Sequence, residues 1–218
     1  TGEAWRPEGS WTGRGYLAAD SLRRIQPPRL AHGHPGVGPA YERADVEDGD
    51  YPDGKTAEKA MAELERLKQG GRPFFLAVGF VRPHLPFNAP RKYWDWYPPE
   101  SIEPAPVRAA PEFSTPYTLR DPGELRNYYG MPKHRGESVD AKTERVLRRA
   151  YFACVSYVDA LVGSLLDELD ALGLQRFQRF GIVPAVHGVH LAPDLFHDPA
   201  DHDLIGRGNP VEGFAIHG

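Results

Sequence analysis

One segment of this sequence indicates both a sheet and the place where a ligand would bind: Arg72-Pro-Phe-Phe-Leu-Ala-Val-Gly-Phe-Val-Arg-Pro-His-Leu-Pro-Phe87. Residues 74–81 form a near-continuous apolar run, typical of a strand buried on both faces of a parallel sheet. Pro83 and Pro86 then end the hydrogen-bonding ladder, because proline has no backbone N–H. The segment therefore delivers a cation, Arg82, and an imidazole, His84, to the carboxyl end of a strand, where open α/β sheets bind ligands.

An amphipathic helix is predicted immediately before this strand, over residues 56–68. Thr56 is expected to cap its start, apolar residues recur at helical spacing along one face, and Gly70-Gly71 ends it. A helix, a short turn and a strand make half of a β/α unit. The pattern therefore favours the α/β class with a parallel sheet.

Two further helices are predicted, a short one near residues 18–25 and a long one over residues 140–172. Cys154, the one cysteine of the chain, lies on the apolar face of the long helix, which indicates a small buried thiol. Four aromatic residues follow the histidine segment: Tyr93, Trp94, Trp96 and Tyr97. They are expected to pack the outer layer of the domain. The alternative is the wall of a cleft in which aromatic rings stack on sugars.

The bulk composition argues against several classes of protein. The chain has 218 residues, of which 40% are hydrophobic and 26% charged, as in a globular domain with a core. Its net charge of −4 argues against a general nucleic-acid binder. No apolar run approaches the roughly 20 residues that span a bilayer, so no membrane span is expected. No signal peptide is visible, although a chain that begins with Thr leaves the question of a leader open.

Three ordered blocks of sequence resemble the sulfatases, and within them the iduronate-2-sulfatase-like branch. The first block is the segment quoted above with its continuation Pro90-Arg-Lys-Tyr-Trp-Asp-Trp-Tyr97. The second is the helical segment Arg149-Ala-Tyr-Phe-Ala-Cys-Val-Ser-Tyr-Val-Asp-Ala-Leu-Val-Gly163. The third runs from Gly38-Pro-Ala-Tyr-Glu42 through Tyr51-Pro-Asp-Gly-Lys-Thr56. The resemblance runs from about residue 11 to about residue 174. It implies an α/β/α sandwich of the alkaline-phosphatase/sulfatase type, incomplete in this chain. Residues 1–54 would be a loop-rich segment of the sulfatase domain, 55–174 a core fragment, and 175–218 a divergent or frame-shifted tail.

The resemblance also implies a chemistry. Sulfatases hydrolyse sulfate esters with a formylglycine nucleophile, made from the Cys of a Cys-x-Pro-x-Arg motif, and with a calcium ion held by Asp, Asn and His side chains. His84 matches the family's Lys-Pro-His-x-Pro-Phe motif, whose histidine contacts the sulfate. Arg82 takes the place of the motif's Lys and is a second candidate substrate contact, with the charge kept and the geometry changed.

The chain departs from the family pattern in two places. Cys154 is followed by Val-Ser-Tyr-Val rather than x-Pro-x-Arg, and the early Asp-Asp pair has no counterpart, so the amino-terminal part of the domain is expected to be missing and the chain inactive alone. In the tail, His187 aligns with the histidine of the family's metal-binding Asp-His-Gly, but Val186 replaces the Asp and Pro184 interrupts the strand. This region has either lost its metal or changed reading frame. A rival hypothesis is a zinc site in the tail built from His187, His190, Asp194, His197 and His202.

The sequence therefore predicts a sulfatase-family fragment whose parent hydrolyses sulfate esters, with sulfated sugars or other sulfated small molecules as partners. Two alternatives stay open: an inactive domain that binds sulfated glycans, and a phosphoesterase of the same superfamily. The family implies a location outside the cytoplasm, and the oligomeric state is open. The fragment is expected to fold poorly alone, because strands of the sheet are missing.

Overall fold

The computed structural model describes residues 3–5, 15–25, 37–107, 111–115, 123–134, 136–174 and 212–217. The strands are β1 (Glu3–Trp5), β2 (Tyr41–Ala44), β3 (Phe74–Gly79), β4 (Phe87–Pro90) and β5 (Glu212–His217). The helices are α1 (Ala19–Arg23), α2 (Pro52–Gly70), α3 (Arg91–Asp95) and α4 (Ala141–Ala171), with 3-10 turns at Asp48–Asp50, Pro99–Ser101 and Leu125–Asn127.

All strand pairs in the described residues are parallel. One sheet has the order β1-β5-β3 and the other pairs β2 with β4, Tyr41 lying opposite Phe87. A chain that returns to parallel strands needs long crossovers, and α2 supplies one of them before β3. The predicted α/β class with a parallel sheet is confirmed. β5 lies in the stretch interpreted as a divergent or frame-shifted tail, which stays a prediction.

Strand β3 forms where it was predicted, but its burial differs from the prediction. It ends at Gly79 rather than residue 81, and its side chains are mostly half-buried. Leu76 and Val78 pack against Ala60 of α2, and Leu165 of α4 packs against the same alanine. Phe75, on the opposite face of the strand, is 57% exposed. Within the described ranges, helices cover one face of β3. The prediction of a strand buried on both faces is therefore wrong for this structure.

Helix α2 begins four residues before the predicted start. Pro52 occupies the first turn and Tyr51 is the N-cap, since proline's fixed φ and missing N–H suit that position. Thr56 is not a cap: its hydroxyl donates to Pro52 O at 3.0 Å from within the helix. The end is as predicted, because Gly71 adopts φ +63°. The buried face includes four members of the predicted stripe: Ala57, Ala60, Leu64 and Leu67.

Helix α4 is the central element of the core. Asp140 caps its start by accepting from Thr143 N at 2.9 Å, and Gly173 follows its end with φ +64°. Its buried side chains join α3, β2 and β4 in one cluster: Ala150, Ala153, Cys154, Tyr157 and Leu161. Both predicted helices, around residues 18–25 and 140–172, are confirmed.

By length and composition α4 is also the one described helix that could cross a membrane. The core helix of a protein outside the membrane meets the same criterion, and α4 packs against α2, α3 and β4. This finding does not establish a membrane span.

Gly54 lies in a very close contact between α2 and the turn that precedes it. A Cβ built at this position would lie 1.7 Å from Asp48 O, because the Asp48–Asp50 turn crosses directly over the first turn of α2. No side chain fits into that contact, so glycine is required there by space.

Gly54→Ala is expected to destabilise the chain by about 3 kcal/mol or more, since the clash is with backbone that cannot swing away. Gly70→Ala is the matched control: nothing lies within 4 Å of its added Cβ, and alanine favours the helix. Urea unfolding followed by tryptophan fluorescence measures both. Equal midpoints for the two variants would contradict the tight contact at Gly54.

Candidate functional site

The candidate site lies where β3 ends and the chain turns towards β4. His84 N donates to Val81 O at 2.9 Å, which closes the turn, and Phe87 N donates to Ala40 O at 2.8 Å, which starts the pairing of β4. The peptide bonds that precede Pro83 and Pro86 are cis. The turn places His84 outside the ladder, as the two prolines predict.

Asp53, in the first turn of α2, holds the end of β3. Its two carboxylate oxygens accept from Val81 N at 2.8 Å and from Arg82 N at 3.0 Å, and the residue is 2% exposed. The amino-terminal end of a helix favours a negative charge. One carboxylate therefore accepts from two backbone N–H groups that lie beyond the last pair of the strand ladder. These two hydrogen bonds connect α2 to the end of β3.

Arg82 is buried and braces the same turn from inside. Its Nε donates to Asn88 O and one terminal nitrogen donates to His84 O, both at 3.2 Å. A planar guanidinium can reach two carbonyls in fixed directions, whereas a lysine offers a single point charge. This geometry gives Arg82 a structural role at the turn; its contact with substrate stays a prediction.

Two more buried polar residues complete the support, and the sequence did not reveal either of them. Asn88 is fully buried and donates from Nδ2 to Gly15 O at 3.3 Å. Glu42 is 2% exposed and accepts from Leu17 N, Ala18 N and the Tyr51 hydroxyl at 2.9, 3.0 and 2.7 Å. Burial, together with the charge and hydrogen bond of Glu42, raises the pKa of Tyr51, so this hydroxyl remains a donor.

His84 itself is held by the backbone on one side and stands near a carboxylate on the other. Nδ1 lies 2.8 Å from Leu85 O, and Nε2 lies 3.5 Å from Glu124 Oε2. The side chain is 37% exposed. A ligand can therefore reach its ring, whose orientation is fixed by the bond at Nδ1. Glu124 lies close to His84 although no sequence pattern connects the two.

Cys154 is the buried thiol that the sequence predicted. It is fully buried and its Sγ lies 3.6 Å from Asn88 O. Burial raises the pKa of this thiol to about 12. A thiol that stays protonated and out of reach of solvent is not a nucleophile.

The four aromatic residues of the predicted outer layer divide into two groups. Tyr93 and Trp94 are 2% exposed and belong to the core, which agrees with the packing interpretation. Trp96 is 62% exposed and meets Tyr93 edge to face, while Tyr97 is half-buried with its hydroxyl 2.6 Å from Ser156 Oγ. Trp96 is the member that a sugar ring can reach.

The described residues do not fit a calcium ion. Among them, no three His, Cys, Asp or Glu side chains come close enough together to hold a metal. Both oxygens of Asp53, which lies at the carboxyl end of β3, accept hydrogen bonds from backbone donors. The candidate metal ligand His187 and the histidine-rich segment around it lie outside the described residues.

Residues 8–176 match the sequence model of the family described as Sulfatase. Human iduronate 2-sulfatase is 36% identical over 134 residues, 60% of this chain and 24% of that protein. Choline-sulfatase of Rhizobium meliloti is 38% identical over 116 residues, 52% of this chain and 21% of that enzyme. The multifunctional alkaline phosphatase superfamily protein PehA of Trinickia caryophylli is 28% identical over 93% of this chain and 38% of its own length.

These matches confirm the resemblance that the three sequence blocks predicted, with nearly the same limits. The chain spans about a quarter of the length of the iduronate 2-sulfatases that it matches.

Asp53→Asn is expected to destabilise the chain by about 2–3 kcal/mol, because an amide accepts through one atom only and turns its NH₂ towards a backbone N–H. Asp159→Asn, the same change at an exposed position of α4, is expected to shift stability by less than about 0.5 kcal/mol. Urea midpoints measure both. Similar midpoints for the two variants would show that Asp53 does not hold the end of β3.

Cys154 is expected to stay unmodified when the native chain is treated with an aromatic disulfide reagent at neutral pH, because the thiol is both buried and protonated. In denaturant the same reagent should modify one thiol per chain, since the sequence has one Cys. The released chromophore counts modified thiols. Rapid modification without denaturant would overturn the buried position.

Proposed function

We propose that this chain, which belongs to the sulfatase family, forms the part of a sulfate-ester hydrolase that holds the sulfate group, with sulfated sugars as the substrate class. The observation that carries the proposal is His84. Its imidazole stands at the carboxyl end of β3 and is 37% exposed, with Nδ1 2.8 Å from Leu85 O and Nε2 3.5 Å from Glu124 Oε2.

The role proposed for His84 is to bind a sulfate oxygen through its exposed imidazole. Hydrolysis of a sulfate ester moves negative charge onto the oxygens around sulfur and onto the departing alcohol, so a preoriented polar side chain that interacts favourably with this charge lowers the barrier. Arg82 acts through His84: its guanidinium donates to His84 O and holds the turn in which the histidine sits. Asp53 fixes the same turn from the side of α2.

Turnover by these 218 residues alone is not proposed. In the family, formylglycine supplies the nucleophile, and the one cysteine here is buried and lacks the x-Pro-x-Arg that would follow it. The described residues also hold no group that fits calcium. The chain is proposed to bind and orient the sulfate group for a reaction completed by other parts of the protein.

The substrate class rests on two supports. One relative is named for iduronate, a sugar acid, and Trp96 offers an exposed indole on which a sugar ring can stack. A second candidate function is binding of sulfated glycans without cleavage, which the buried thiol favours. A phosphoesterase of the same superfamily is the third, favoured by the match to PehA.

His84→Ala is expected to weaken binding of a monosaccharide sulfate to the full chain about tenfold or more, because one charge-assisted hydrogen bond is lost. Exposed His134 provides the matched control, His134→Ala, which should leave the dissociation constant unchanged. NMR titration measures both. If the two variants bind equally, the role of His84 is wrong.

Turnover separates the three candidate functions. The gene expressed with its flanking sequence is tested for release of sulfate and of phosphate from matched sugar esters. Sulfate release that depends on His84 supports the hydrolase, phosphate release supports the phosphoesterase, and binding without release of either supports the glycan-binding domain.

A further inference from the structure

Helix α4 carries an apolar stripe on the side that faces away from the core. Phe152, Val155 and Leu166 are 37%, 44% and 42% exposed. Gly163 lies between Val155 and Leu166, and among the described residues nothing lies within 4 Å of a Cβ added there. At 3.6 residues per turn these four residues fall on one side of the helix, and at 1.5 Å per residue they extend over about 21 Å. We call them the outer stripe.

The charges of α4 are divided between its two ends. Residues 141–150 contain four cationic side chains and one carboxylate, whereas residues 159–171 contain four carboxylates and no cation. The carboxyl-terminal end of a helix favours positive charge, yet the last turn of α4 has no basic residue. A single chain therefore leaves this acidic end without a favourable partner on its own helix. A neighbouring helix that runs in the opposite direction would bring its basic end to the acidic end of α4.

We infer that the outer stripe is the contact between two copies of this chain, whose α4 helices pack antiparallel around a two-fold axis. Such an axis forms every contact twice, since residue i of one copy meets residue j of the other and j meets i. An antiparallel pair aligns each basic end with an acidic end, whereas a parallel pair would align like charges. Burial of the apolar side chains of the outer stripe supplies the attraction, and the charges select the orientation.

One register of the two helices satisfies the charged and the apolar contacts together. Three pairs of residues have the same midpoint in the sequence, between residues 157 and 158: Arg145 with Asp170, Arg148 with Asp167, and Phe152 with Gly163. A two-fold axis at this point places the Phe152 ring of one copy over the open Gly163 of the other. It also places Asp159 opposite Ser156, whereas an axis at residue 159 would bring the two Asp159 carboxylates together.

The oligomeric state of the full chain tests this contact, measured by sedimentation equilibrium from about 1 to 200 µM in low-salt buffer. A contact of one helix from each copy is small, so we expect a monomer–dimer equilibrium with a dissociation constant on the order of 50 µM. Arg145→Glu and Asp170→Arg each bring like charges together at two symmetric contacts. Each variant is therefore expected to weaken its own dimer about tenfold.

An equimolar mixture of the two variants is the sharpest part of the test. In the mixed dimer each copy supplies the charge that the other requires, so the affinity of the unmodified chain should return to within about twofold. Exposed Lys55 on α2 gives the matched control, because Lys55→Glu changes the net charge as much as Arg145→Glu does. Its dissociation constant should differ from that of the unmodified chain by less than about twofold.

Four outcomes would overturn the contact. The first is a monomer at every concentration, and the second is a dimer that the α4 variants weaken no more than the control, as association through Phe75 would give. The third is a mixture of the two variants that stays as weak as either alone. The fourth is a different occupant of the outer stripe: binding of the chain to neutral phosphatidylcholine vesicles would assign it to a membrane surface, and loss of the dimer when the gene is expressed with its flanking sequence would assign it to the rest of the parent protein.

Discussion

The carboxylate of Asp53 joins the two elements on which the site depends. A strand that stops leaves its last backbone N–H groups without ladder partners, and a buried N–H without a partner is costly. Asp53 serves Val81 N and Arg82 N at once, from the amino-terminal turn of a helix where its charge is favoured. The end of β3, the start of α2 and the direction of the following turn are thereby fixed together. The position of His84 is therefore set by this arrangement.

Several polar and charged side chains are buried beneath the site. Glu42, Arg82 and Asn88 are nearly or fully buried, and each of them bonds to backbone, which for Glu42 and Asn88 lies far away in the sequence. Buried charges are tolerated when their hydrogen bonds are made, and they define one arrangement because any other leaves them unsatisfied. A turn carried on such a network is well suited to presenting an imidazole to a small anion with little reorganisation, which is the property that electrostatic catalysis needs.

Local pattern was enough to predict α1, α2, α4 and the position of β3, because periodicity and glycine stops act over a few residues, but it did not predict the short helix α3. The family could be recognised because the His84 motif and the helix around Cys154 are each a continuous stretch of sequence. The contacts of Asp53, Glu42 and Asn88 could not be read from one sequence, since their partners lie 28, 25 and 73 residues away. Thr56 was misplaced as a cap because Pro52 starts the helix one turn earlier, and the open face of β3 follows from which helices reach it rather than from its own composition.

The face of β3 that the described helices leave uncovered has a consequence for association between chains. Phe75 of β3 is 57% exposed, so another chain can pack against its ring. Exposed apolar side chains on a strand promote association between chains. A net charge of −4 on 218 residues, with a pI near 6.1, gives little mutual repulsion to oppose it. A mildly alkaline buffer increases the net negative charge of the chain, and low salt leaves this charge unscreened. Both strengthen the electrostatic repulsion between molecules and so oppose their association.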